Sequence, residues 1–177
     1  MARRPRRTGT GGEVARLLLR GALGTTMIAH GIKHARTLDG TAGWFSSIGF
    51  RRPALQARAS AAVETTAGAL LLAGAATPLA AAATVGTLTV AARSVHARNG
   101  FFITAEGWEY VANLGTAAVA LAALGPGRLS VDHRLGLHRH LSPGRAAALT
   151  TVLGLASGAG QLALYWRDPA TAADRGR

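Results

Sequence analysis

The sequence predicts an all-α protein, a polytopic membrane helical bundle with five spans. Three observations carry this. Of the 177 residues, 49% are hydrophobic and 23 are glycine, and whole segments are apolar on every face, a pattern suited to lipid surroundings. The longest such run, Ala59 to Ala92, holds 34 residues, with Glu64 as its one carboxylate and Pro78 as its one proline. As a single helix it would be about 50 Å long against a hydrocarbon core of about 30 Å. It must fold back, and Gly74 to Pro78 supplies the break, since glycine tolerates a tight turn and proline starts a helix better than it continues one.

Charge narrows the class further. The formal net charge is +12 and the isoelectric point is near 11.9, values that in a soluble chain point to nucleic acid. Here the basic residues fall mostly between apolar runs, and Lys33 is the single lysine. That distribution suits topology and contact with anionic lipid, so the expected partner is the bilayer and no nucleic acid. There is no cysteine, which excludes a disulfide, a thiolate nucleophile and an iron–sulfur cluster within the chain.

In chain order, residues 1–13 are an arginine-rich segment expected to be disordered and retained as a cytoplasmic tail rather than cleaved. The first span runs from Val14 to Ile32. Its Arg16 and Arg20 are four residues apart and share a face, so they are expected to reach the headgroups together. Lys33 to Arg58 is a long mixed loop whose Trp44, Phe45 and Phe50 suit an interface. The folded run gives spans two and three, closed by Arg93, His96, Arg98 and Asn99. The fourth span is Glu106 to Leu124, with Glu106, Glu109 and Asn113 in one stripe. A basic loop, 133–144, holds His133, His138 and His140. Residues 145–167 form the fifth span, and 168–177 a tail. The distribution of arginines favours a cytoplasmic N-terminus in the cytoplasmic (inner) membrane.

The order of short motifs resembles the DoxX family of small bacterial membrane proteins. The motifs are His30-Gly31 with Lys33, Phe45 to Gly49, Glu64 with Gly68, His96 followed by Gly100-Phe101-Phe102, a glutamate opening the fourth helix, and Gly125-Pro126-Gly127-Arg128 with Ser130 and Asp132. The resemblance covers residues 14–132. It implies a four-helix DoxX-like membrane core and a link to quinone-coupled electron transfer, since the family is named for a quinol oxidase subunit that also acts in thiosulfate to quinone transfer. Two features depart from the family pattern. A fifth span follows the usual end, and Thr77-Pro78 stands where a basic residue is often found.

If the spans alternate, the end of span one, the start of two, the end of three and the start of four share one side. His30, Glu64, His96, Glu106 and Glu109 then converge in a polar layer, with Arg93 and Asn113 in support. Ionisable groups within spans cost about 2.5–3.5 kcal/mol each on insertion scales, so they need a partner, a proton or a role. The layer suits a quinone headgroup, exchanging protons through histidine and glutamate, and its donor types would also suit a metal. It reads equally as an ion-pair network that fixes packing. No residue is assigned as catalytic or as a metal ligand, and haem and iron–sulfur clusters are disfavoured. Three functions stay open: a redox-associated or quinone-interacting subunit with a membrane or periplasmic oxidoreductase partner, a small-molecule or lipid transporter or binding protein, and a non-catalytic structural partner of another membrane enzyme.

Overall fold

A computed structural model describes residues 9–169 and 171. The first eight residues and most of the expected C-terminal tail lie outside them. The described residues are all-helical, with no strand beyond a single bridge between Phe50 and Trp166. Among the described residues the α-helices include α1 (Thr10–Arg36), α2 (Leu38–Ser47), α3 (Pro53–Ala73), α4 (Thr77–Ala91), α5 (Glu109–Leu124), the short α6 (Val131–Arg134) and α7 (Pro143–Tyr165). Two helices are long and apolar enough to cross a membrane, α4 extended through Asn99 and α7. α5 is apolar but shorter.

Helix ends follow local chemistry. α1 begins at Thr10, so residues 10–13 are helical rather than part of a disordered tail. Glu13 sits in its first turn and Lys33, His34 and Arg36 in its last, matching both poles of the helix dipole. α3 opens with Pro53 and closes at Gly74, whose left-handed conformation lets the Ala75 and Gly74 N–H groups donate to the Leu70 and Leu71 carbonyls. The break expected at Gly74 to Pro78 is therefore present. α4 ends in a π-helical turn, Ala92–His96, followed by a 3-10 turn, Ala97–Asn99.

Glycine brings the long helices together. A Cβ on Gly24 would stand 2.8 Å from the Gly68 carbonyl oxygen, and one on Gly68 2.6 Å from that of Gly24, so α1 and α3 meet backbone to backbone. On the other side of the bundle, Gly154 and Gly158 of α7 press on Val85, Gly86 and Thr89 of α4. Gly160 has open space beside it and takes no part. A core of Leu23, Leu71, Ala81, Val85, Ala118 and Leu121 joins α1, α3, α4 and α5. α7 packs on α4 and α5, so the fifth long helix is part of the same bundle.

The end where α1 starts is tied by buried polar groups. Arg20, 5% exposed, does not reach outward. Its guanidinium donates to the carbonyls of Leu71, Leu72, Pro126 and Leu129. Arg16 likewise turns to the Leu124 carbonyl at 2.9 Å. Both corrections have one cause, because carbonyls at helix ends and in the loop after α5 lack partners and a planar guanidinium satisfies several at once. Asp132, also buried, accepts from the Ala76 and Thr77 N–H groups at 2.7 and 2.8 Å and from the Thr77 hydroxyl at 2.8 Å. Thr77 thus meets Asp132 through both its N–H and its hydroxyl, and Asp132 caps α4 from 55 residues away.

Candidate functional site

At the opposite end the helices enclose a cavity of about 800 Å³. Its wall draws on the ends of α1, α4 and α7 and the starts of α3 and α5, which establishes the alternation of these helices. α2 closes it from the side with Trp44 and Phe45. Phe45 stacks edge-on with Phe50 at 5.1 Å, within a cluster that includes Trp166. The cluster is stitched to the end of α7 and the residues after it by hydrogen bonds that include Arg51 N–H to the Tyr165 carbonyl at 2.7 Å, the Arg51 guanidinium to the Leu164 carbonyl, Arg167 N–H to the Gly49 carbonyl at 2.9 Å, and Trp166 Nε1–H to the Ile48 carbonyl at 2.8 Å. The segment expected as a loop from Lys33 to Arg58 is mostly helix and forms part of the site.

Glu64 is the most enclosed ionisable group in the wall, with its side chain 5% exposed. α3 begins at Pro53, six residues before the expected start, so Glu64 lies three turns into the helix rather than one. Ser60, one turn earlier, donates its hydroxyl to Glu64 Oε1. Among the described residues Oε2 accepts no hydrogen bond, and it stands 3.5 Å from His34 Nδ1. The same imidazole nitrogen is 3.1 Å from the Ser60 hydroxyl. Glu64, Ser60 and His34 thus form a compact triangle across the α1–α3 seam. Gly31 makes the seam possible, because a Cβ there would overlap Thr65 and stand 2.9 Å from the Ala61 carbonyl oxygen.

The expected polar layer is gathered in part. His30, Glu64, His96 and Glu106 all line the cavity. The His30 ring meets the His34 ring edge-on at 6.5 Å. His96 closes the π turn with Nδ1 2.6 Å from the Glu106 carbonyl oxygen, so Glu106 engages it through its backbone. Glu106 itself has φ 60 and precedes α5, which breaks the expected helical stripe. Glu109 is turned to the loop, where it accepts from the Ile103 N–H at 3.0 Å. Asn113 is exposed on α5 and outside the cavity wall. Arg93 also leaves the layer: its guanidinium lies 4.5 Å over the Trp166 ring and pairs with Asp168 at 3.6 Å.

Three cavity groups have no counterpart in the expected layer. His34 falls in residues taken as loop, although its spacing of four from His30 places both on one helical face. Gln56, 3% exposed, accepts from Gln161 Nε2 at 2.8 Å, tying α3 to α7 at the cavity wall. Nothing short of the fold joins residues 105 apart. Among the described residues no three His, Cys, Asp or Glu side chains form a set able to hold a metal ion; the rings of His133 and His138 stack on each other at 4.4 Å instead.

A sequence model of the DoxX family matches residues 15–97. No curated protein and no solved structure matches the chain. His30, His34, Glu64 and His96 fall inside the matched residues, whereas Glu106, Glu109 and Gln161 follow them.

Proposed function

The chain belongs to the DoxX family through residues 15–97, and from that premise we propose that it is a multi-pass protein of the cytoplasmic membrane whose cavity takes a quinone headgroup, as a redox-associated subunit. The carrying observation is the Glu64 carboxylate, buried in the cavity wall beside His34 Nδ1 with Oε2 accepting no hydrogen bond from the described residues. A cavity of about 800 Å³ is of ligand size, and its mix of aromatic walls with a few convergent polar groups is the usual composition of a small-molecule site.

The side chains fit that ligand class. Trp44, Phe45 and Tyr110 offer faces for a planar ring, while His34, Glu64, Gln56 and Gln161 offer donors and acceptors at its edge. A bound quinone accepts two electrons and two protons to become a quinol. His34 and Glu64 hold and exchange protons at the cavity wall, the task for which an imidazole beside a carboxylate is suited. Electrons come from a membrane or periplasmic oxidoreductase partner, in keeping with a chain that has no cysteine.

The topology we propose crosses the membrane with α1, α3, α4, α5 and α7, a four-helix core plus a fifth helix, with the N-terminus in the cytoplasm. α1 then ends on the outer side, and the cavity lies toward the periplasmic face. The arginines of the N-terminal segment and of residues 128–145 stay inside, as the positive-inside rule favours.

The test is direct. Protein purified in mild detergent is titrated with a short-chain quinone analogue, read by quenching of Trp44 against a Trp44→Phe control. Wild-type protein binds, and Glu64→Gln, which keeps the shape and removes the charge, binds about tenfold more weakly, as expected for a lost charge-assisted hydrogen bond. Equal binding by the two proteins, or none by either, overturns the reading and favours a structural network of Glu64, Ser60 and His34.

A further inference from the structure

Back to back with the cavity, α4, α5 and α7 leave a second recess of about 820 Å³, open to the outside of the bundle. Leu88 and Val111 line both spaces and stand between them. The recess follows α5 from Trp108 to Ala123, a rise of about 22 Å at 1.5 Å per residue. Small side chains hollow it, with Gly115 at its middle and no atom within 4 Å of the place a Cβ would take there. Its length and chemistry match one extended acyl chain.

The two ends differ in charge. At the Trp108 end the lining includes Arg93, whose side chain is 53% exposed. Arg98, 49% exposed, lies one turn further on, and the two guanidiniums share the Asp168 carboxylate at 3.6 and 3.2 Å. Both guanidiniums keep about half of their side-chain surface exposed beside an apolar groove, in reach of an anionic group. Trp108, 42% exposed and edge-on to Phe101 at 4.8 Å, marks the same end with the amphipathic rings that favour headgroup depth.

The geometry points to a bound anionic phospholipid, with one acyl chain in the α4–α5–α7 groove and its phosphate at Arg93 and Arg98. The inference rests on the membrane placement proposed above but not on quinone binding. The π turn in α4 explains how one helix serves both sites: within Ala92–His96, Arg93 lines the outer groove and His96 the inner cavity. An acyl chain against Leu88 and Val111 would also fill space directly behind the cavity wall.

The experiment is native mass spectrometry of the full chain released from mild detergent after exchange into equal amounts of phosphatidylglycerol and phosphatidylcholine. Wild-type protein is expected to retain one phosphatidylglycerol in preference. Gly115→Leu, whose Cβ meets no atom within 4 Å and whose side chain projects into the groove, should abolish retention. The double variant Arg93→Gln, Arg98→Gln should weaken it about tenfold, since each basic side chain adds to the attraction for an anionic headgroup. Thermal unfolding of each variant, followed by tryptophan fluorescence, confirms the fold, and the quinone-analogue titration of Gly115→Leu should be unchanged. Equal retention of both lipids, undiminished retention by Gly115→Leu, or a dimer that Gly115→Leu dissociates would each overturn the proposal.

Discussion

Nδ1 of His34 stands 3.5 Å from Oε2 of Glu64, joining the last turns of α1 to the middle of α3 at the cavity wall. If this pair handles protons for a ligand, its two members are not interchangeable with other polar groups nearby. His34→Phe should weaken quinone-analogue binding about tenfold, as Glu64→Gln does, because each removes one partner of a charge-assisted contact. Glu106→Gln should change it less than about threefold, because this exposed residue meets His96 through its backbone carbonyl. The titration that measures Glu64→Gln measures all three, and an effect of Glu106→Gln as large as that of His34→Phe would contradict the arrangement.

The alternation of helix ends was legible in the sequence, and with it the meeting of His30, Glu64, His96 and Glu106 in one cavity wall. What escaped depended on contacts between distant segments or on exact helix limits. His34 falls in an expected loop because the apolar run stops at Ile32, yet α1 runs to Arg36. The place of Glu109 in the layer depends on a helical Glu106, and the left-handed turn at Glu106 removes that premise. Arg20 reads as a headgroup-seeking residue because its sequence neighbours cannot reveal four carbonyls supplied by α3 and by the loop after α5.

That Arg20 cluster should dominate stability. Arg20→Leu leaves four carbonyls without their donor in a buried place, and a loss of about 3 kcal/mol or more is expected. Arg20→Lys should lose less, since an ammonium keeps the charge but cannot span the same fork of acceptors. Thermal unfolding in detergent, followed by tryptophan fluorescence, should rank wild type above Arg20→Lys and Arg20→Leu last. A reversed order would mean that the guanidinium geometry is not what the site uses.

Close backbone approach makes a sharper prediction for the α1–α3 seam. Gly68→Ala puts a methyl 2.6 Å from the Gly24 carbonyl oxygen and 2.8 Å from Ile28 N, and rigid main chain on both sides must move apart. A cost of about 1–3 kcal/mol follows from overpacking. Gly21→Ala, on α1 three residues before Gly24 and with nothing within 4 Å, should be neutral or stabilising by up to about 1 kcal/mol through helix propensity. Comparable destabilisation by both variants would show that the contact plays no special part.

α7 presents the same question together with function. Gly158 approaches Thr89 and the Gly86 carbonyl of α4, a Cβ there standing 2.7 Å from Thr89 Cβ and 2.8 Å from the oxygen. About one and two turns further along α7, Gln161 and Tyr165 enter the cavity wall. Gly158→Leu must therefore push away the segment that carries these two side chains and pull Gln161 from Gln56. It should lower thermal stability and weaken quinone-analogue binding together. Gly160→Leu, two residues on and facing open space, should leave both unchanged. If Gly158→Leu destabilises the protein while binding holds, α7 supports the bundle without shaping the site; joint loss makes the helix beyond the matched residues 15–97 a working part of the cavity.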